Sequence, residues 1–252
     1  MSDLDFIQAS KVQDSPGYIE GALAFDTETT STNYAYDEVI SYGLASLDGK
    51  INIERFFMPR VPIDPAAYEV HNISIDDLED IKAKHFSKKD AEEFLAIVKD
   101  KTLIIHNAEF DVNFMSKHLV EHGFQPLTEY CTVIDSYELA RTLAKRYKSL
   151  DGLMKEYSIN IERESHGAWL DAMILSKVFP ILNTEFIKKF SKTLYYNPSK
   201  TEDIKSVNYE FSFKRLNKTD LPITKILDEE VKRNQDFIKR KIKPSDDMSF
   251  EF

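Results

Sequence analysis

Apolar and polar positions fall into short blocks up to about residue 183, and each block has a recognisable period. Gly21-Ala-Leu-Ala-Phe25 is an apolar run that stops at Asp26, while Val39 to Ser46 and Ile51 to Met58 have strand character on either side of a Leu47-Asp-Gly-Lys50 turn. These segments predict a strand meander. Ser87-Lys-Lys-Asp90 has the capping-box pattern and opens a helix whose Ala91, Phe94, Leu95 and Val98 share one face. Lys101-Thr-Leu-Ile-Ile105 predicts a buried strand ending in His106-Asn107, with Asn107 as N-cap of a helix over Ala108 to His122 that Gly123 terminates. Another strand, about Cys131 to Ile134, leads into helices near Ser136 to Ala144 and Ser149 to Tyr157. A last helix from near Gly167 places Leu170, Met173, Ile174, Val178 and Ile181 on a buried stripe. A meander followed by strands alternating with helices implies an α/β fold, a mixed sheet covered by helices.

Beyond residue 183 the pattern changes. Tyr195-Tyr-Asn-Pro-Ser is loop-like, Val207, Tyr209, Phe211 and Phe213 alternate as a strand, and Pro222 to Lys243 reads as a charged amphipathic helix. Charge changes there too: residues 184–252 carry 15 Lys+Arg against 12 Asp+Glu, whereas residues 1–183 carry 18 against 31. Two regions are expected, a domain over 1–183 and a C-terminal extension over 184–252.

At 42% hydrophobic and 30% charged residues, the chain lies outside the collagen-like and disordered classes. It shows no run of the ~20 apolar residues needed to span a bilayer, and Met1 to Gly17 has neither a basic nor an apolar leader segment, so a cytoplasmic protein is expected. The single Cys131 excludes an intrachain disulfide and a Cys-rich zinc site. A net charge of −10 lacks the basic footprint of a protein that grips nucleic acid mainly by its phosphates. An acidic site that recruits divalent cations reverses its local field, however, so a metal-dependent nuclease stays within the allowed classes.

Three segments carry candidate chemistry. In Asp26-Thr-Glu28, residues i and i+2 of an extended chain point to one face, so two carboxylates stand side by side and favour a hard divalent cation; an Asp at a strand end is also an ordinary turn or cap residue. Asp111 lies in the first turn of a helix after a buried strand, where an acid suits the helix dipole with or without a ligand. His166-Gly-Ala-Trp-Leu-Asp171 spans ~500° of helical rotation, so His166 and Asp171 converge only if His166 lies on the loop before the helix and folds back. A loop His of that kind suits a general base.

The ordered set, Asp-x-Glu on the first strand, Asp opening a helix, and His-x4-Asp late in the domain, resembles the three exonuclease motifs of the DEDD superfamily in its His-bearing branch. Asp26-Thr-Glu-Thr-Thr30, Tyr68-Glu-Val-His-Asn-Ile73, the run from Ile104 to Met115, Asp135-Ser136, Ser149-Leu-Asp151 and the run from His166 to Leu175 are similar to the proofreading epsilon subunits of bacterial DNA polymerase III, over residues 20–182. The resemblance implies a ribonuclease-H-like fold and removal of 3′-terminal nucleotides with two divalent ions, Mg²⁺ or Mn²⁺. It implies Asp26, Glu28, Asp111 and Asp171 as metal-site carboxylates, His166 as base, and Thr29, Thr30, Val70, His71 and Phe110 around the terminal nucleotide. It further implies nucleic acid 3′ ends, DNA favoured, as the partner, with residues 184–252 as a segment that docks a DNA polymerase. The alternative is that this segment packs back on the nuclease body, and Met248, Phe250 and Phe252 at alternate positions suit an extended peptide in the groove of a sliding clamp. The chain departs from that pattern at Ser31, where Gly is usual, at Ser41 in Val39-Ile-Ser-Tyr-Gly43, where the second strand commonly carries Glu, and at Asn72, in a loop that usually reads His-Gly-Ile.

Other readings compete with this one. Trimming of RNA uses the same motifs, since none of them reports a 2′-OH. An inactive binding module would keep the fold but has no reason to retain four carboxylates and the His. His118-Leu-Val-Glu-His122 fits an inverted zinc-protease motif. Its histidines lie roughly 10–17 Å along the helix from Asp111, too far to share a metal with it. Gly43 to Lys50 imitates a phosphate-binding Walker loop but has one residue too many and Ile51 in place of Ser/Thr.

Overall fold

Apolar β1 (Leu23–Thr29) is the middle strand of a five-stranded sheet of order β3-β2-β1-β4-β5 in a computed structural model that describes residues 15–161 and 166–194. Strands β2 (Val39–Ser46) and β3 (Asn52–Phe56) continue antiparallel from β1, while β4 (Thr102–Ile105) and β5 (Thr132–Asp135) run parallel on its other side. Helices cover both faces. This is the ribonuclease-H-like mixed sheet that the resemblance implied.

The alternation along β1 divides the core. Leu23 and Phe25 pack with Leu103, Ile105 and, from α3 (Lys88–Val98) and α4 (Ala108–Glu121), Phe94 and Phe114. Ala24 faces the opposite side, with Ile104, Leu153 of α6 (Leu150–Glu156) and Trp169, Ile174 and Val178 of α7 (Ala168–Leu194). Asp26 and Glu28 share the phase of Ala24, so they point toward α7, whereas Thr27 points toward α4.

Several expectations need correction. Two short helices, α1 (Pro65–His71) and α2 (Ile75–Asp80), stand where no helix was predicted; Asp64 and Ser74 cap them, but seven and six residues are too few to display a period. Strand β3 stops at Phe56, before Met58. The segment resembling a Walker loop is β2 and its hairpin turn, with Gly49 at φ 75°. Asn107 is not a side-chain cap: it takes a left-handed conformation, φ 68°, and the start of α4 is capped from a distance by Asp135, whose carboxylate accepts from Asn107 N at 3.1 Å and Ala108 N at 3.0 Å. The same carboxylate accepts from Tyr137 N at 2.8 Å at the start of α5 (Ser136–Thr142). On α7 the buried stripe includes Trp169, Leu175, Phe179 and Leu182, while Met173 is partly buried and Ile181 is exposed.

Helix α7 also continues through residue 183 to Leu194, with Pro180 inside it. Its continuation is tied to the body. Lys145 Nζ reaches Glu156 and Glu185, each at 2.6 Å, and Thr184 Oγ1 accepts from Gly17 N at 3.0 Å. The predicted strand over Val207 to Phe213 and helix over Pro222 to Lys243 lie outside the described residues. Among those that are described, no helix is long and apolar enough to cross a membrane.

Candidate active site

The C-terminal end of β1 and the first turn of α7 meet in one place. Asp26, Glu28 and Asp171 each bring a carboxylate oxygen to within 4.8 Å of the others, and Glu28 and Asp171 are buried. Carboxylates this close repel one another when ionised, and such an all-oxygen set of donors fits a hard divalent cation. These three could therefore hold one.

His166 lies just before α7, on the loop, and folds back so that Nδ1 stands 2.8 Å from Asp171 Oδ2. Two contacts hold that turn. His166 N donates to Val70 O at 3.0 Å, and Asp171 N donates to Gly167 O at 2.8 Å. The first joins the end of α1 to the loop that carries the histidine.

Asp111 stands apart from the group of three. It rises from α4 on the opposite face of β1, where its Oδ1 accepts from Thr27 Oγ1 at 2.7 Å. Burial pushes its carboxyl above the ordinary range, against the Thr27 hydroxyl that stabilises the charge. The sequence pattern contained all four acids but could not state their faces, which depend on how α4 packs.

The residues expected around a nucleotide take different stations. Val70 is 48% exposed at the end of α1, and Phe110 is half-buried and packs against Phe114 with ring centroids 4.8 Å apart and planes tilted by 45°. His71 is buried; its Nδ1 accepts from Ile73 N at 3.0 Å, which makes Nε2 the protonated nitrogen. Burial also lowers its pKa to about 4. Thr30 is fully buried, and its hydroxyl accepts from Glu38 N at 3.0 Å, which closes the loop over 31–37. Thr29 Oγ1 donates to Ser31 O at 2.6 Å in the same loop.

Asp26, Asp171 and His166 line a cleft of about 740 Å³ whose other lining includes His106, Asn107, Tyr137 and Lys148. Tyr137 and Lys148 were not singled out from the sequence. Lys148 directly precedes the Ser149-Leu-Asp151 segment, so only its neighbourhood hinted at a site. The protease-like pair is accounted for differently: His118 is buried with Nε2 accepting from Val39 N at 3.1 Å, and His122 Nδ1 lies 2.8 Å from His118 O. His118 is a core histidine.

The chain has relatives among known proteins. A family model described as Exonuclease, RNase_T, matches residues 23–179. The chain is 31% identical over 175 residues to the DNA polymerase III subunit epsilon of Buchnera aphidicola subsp. Baizongia pistaciae, covering 64% of this chain and 70% of that one. To the epsilon subunit of Escherichia coli strain K12 it is 34% identical over 171 residues, covering 62% and 69%. A solved structure of exonuclease X in complex with 5′ overhanging duplex DNA is 20% identical, covers 68% of this chain and 93% of that one, and has a TM-score of 0.49. Since that family model matches more than half of the chain, residues 23–179, the chain belongs to the RNase_T exonuclease family.

Proposed function

We propose that this exonuclease is a metal-dependent 3′-5′ enzyme that releases nucleoside 5′-monophosphates from DNA 3′ ends, in proofreading or related DNA processing. The observation that carries the reading is the group of Asp26, Glu28 and Asp171 with His166 hydrogen-bonded to Asp171. Asp26, Glu28 and Asp171 would hold the first of two divalent ions, Mg²⁺ or Mn²⁺, and Asp111 would join a second only by turning its carboxylate from Thr27 toward that group. Bound there, the ions supply Lewis-acid polarisation of the scissile phosphate and acidify water.

The chain's own residues position the reaction. The Asp171 carboxylate accepts from His166 Nδ1–H, orients the ring, and leaves Nε2 to take the proton of the attacking water. Attack at phosphorus breaks the bond to the 3′-oxygen of the preceding residue, so the phosphate leaves on the 5′ side of the released nucleotide. Val70, Phe110, Thr29, Thr30 and His71 are proposed to surround the terminal nucleotide, as the resemblance implies. Lys148 supplies a cation to a cleft that Asp26, Asp151 and Asp171 also line. DNA is favoured because the relatives are subunits of a DNA polymerase. A DNA polymerase, the assembly that the relatives' names give, or a sliding clamp is the partner proposed for residues 184–252.

End-labelled single-stranded DNA and RNA, incubated with Mg²⁺, Mn²⁺ or excess EDTA, test the reading. Shortening from the 3′ end of DNA, with 5′-monophosphate products and no reaction in EDTA, is expected. A preference for RNA would move the substrate to RNA trimming. Release from 5′ ends, or equal rates in EDTA, would reject the reading.

A further inference from the structure

One buried carboxylate outside the metal group bonds to the helix that carries Asp171. Glu54 on β3 is 8% exposed, and its Oε1 accepts from Trp169 N at 3.4 Å and from Ser41 Oγ at 3.2 Å. Trp169 is the second residue of α7, so its N–H belongs to the first turn, which has no carbonyl of its own helix to receive it. A carboxylate in that place also complements the positive end of the helix.

The neighbouring backbone makes this contact possible. Glu54 pairs across the sheet with Gly43 of β2, and a Cβ at Gly43 would lie 2.2 Å from the Ala168 carbonyl carbon and 2.3 Å from Trp169 N. Helix α7 therefore rests its first turn on bare backbone at Gly43, and Glu54 reaches its N–H from the next strand. Asp171 follows two residues later, and His166 bonds to Asp171.

We propose that Glu54 is a positioning residue whose carboxyl group, delivered from β3 beside Gly43, holds the first turn of α7 through Trp169 N–H and so sets where Asp171 and His166 stand in the cleft. Its catalytic consequence rests on the exonuclease reading above; the contact itself does not. Burial pushes the Glu54 carboxyl up to about 7. A carboxyl accepts through oxygen in either charge state, so the device depends on reach more than on charge. Glu54→Gln keeps the reach and removes the charge, whereas Glu54→Asp keeps the charge and is one methylene too short.

Trp169 is the chain's single tryptophan, so protein labelled with ¹⁵N-tryptophan gives one backbone amide signal that reports this bond directly. In wild type and Glu54→Gln that amide should be shifted downfield and protected. In Glu54→Asp it should move upfield and exchange about tenfold faster or more, as expected when a hydrogen bond to a buried acceptor is lost. On single-stranded DNA, Glu54→Asp should lower kcat about tenfold or more with KM within about twofold, and Glu54→Gln should stay within about threefold of wild type. An unprotected Trp169 amide in the wild-type protein overturns the proposal even if Glu54→Asp fails to fold. Equal kcat in the two variants, or a larger loss for Gln than for Asp, overturns it as well. If wild type lacks nuclease activity, the exonuclease reading fails while the amide signal still decides the contact.

Discussion

Asp26 and His166 occupy one cleft but are expected to act on different quantities. Asp26→Ala removes a carboxylate from the proposed metal group and should abolish both activity and the stabilisation by Mn²⁺, which for a ligand at ~100 times its Kd is about 2.7 kcal/mol. His166→Ala should lose roughly 10²–10⁴-fold in turnover, the usual contribution of a general base, while keeping the Mn²⁺-induced rise in Tm. Melting curves with and without Mn²⁺ separate the two, and a reversed pattern would exchange the roles. His118 permits a second prediction. Burial lowers its pKa from 6.5 to about 4. The unfolded chain then binds the proton more readily than the native one, so this group withdraws stability as pH falls from about 6.5 toward 4. His118→Gln can still offer an acceptor to Val39 N and does not titrate. Its stability relative to wild type should improve by up to ~1.4 kcal/mol per pH unit below pH 6.5, read from urea midpoints at pH 7, 6 and 5. Glu54, raised to about 7, acts in the opposite sense, since a carboxyl with a raised folded pKa loses stability as pH rises from about 4.5 to 7. The wild-type profile is therefore flatter than either group alone would make it.

Elements meet the site through their ends. Asp135 accepts at the starts of both α4 and α5, so one carboxylate orients the helix that carries Phe110 and Asp111 and the helix that carries Tyr137. Asp135→Ala should destabilise the protein by about 2 kcal/mol, since two helix starts lose an acceptor, and Asp135→Asn should recover most of that in chemical denaturation. Equal effects of Ala and Asn would show that the carboxylate caps neither helix. Asp135 was legible only as part of a family-like pair with Ser136. Its bonds to residues 107 and 108 join segments nearly thirty positions apart, which no local pattern encodes. Ser41 shows the same limit in reverse. The second strand lacks the Glu that the resemblance expects there, and the fold places the Glu54 carboxyl against the Ser41 hydroxyl from the adjacent strand.

For the whole molecule, the composition change at residue 183 and the end of helical packing do not coincide. Glu185 is held by Lys145, and Lys189 Nζ lies 3.5 Å from the carbonyls of Thr142 and Leu143. We propose that the nuclease unit extends into α7 beyond residue 183 and that docking of a partner belongs to the chain after it. A chain ending at Leu194 should melt cooperatively near the full-length Tm and digest oligonucleotides at a similar rate, yet fail to copurify with a polymerase or clamp. A chain ending at Leu182 loses the Lys145–Glu185 pair and the Thr184 contacts with Ser15 and Gly17, and should melt several degrees lower, by roughly 4 °C per kcal/mol lost. Equal melting of the two would place the functional boundary back at the composition change.

The sequence by itself determined the class of the fold, because short apolar runs such as the one opening β1 mark strands buried on both faces, and a period of 3.6 in α3, α4 and α7 marks helices with one apolar face. It also contained the five residues proposed for the chemistry, Asp26, Glu28, Asp111, His166 and Asp171, as an ordered set, but did not single out Lys148 of the same cleft. The two-residue spacing of Asp26 and Glu28 puts them on one face through the period of an extended chain alone. Which face was decided only by packing, when α7 covered the side of Ala24 and α4 the side of Thr27. That choice gathers Asp171 with Asp26 and Glu28 and leaves Asp111 against Thr27. Hydrophobic periodicity is a property of one segment, whereas the meeting of carboxylates from distant segments depends on how deep each helix seats. Here that depth is set by contacts such as bare Gly43 under Ala168, which only the folded chain brings together.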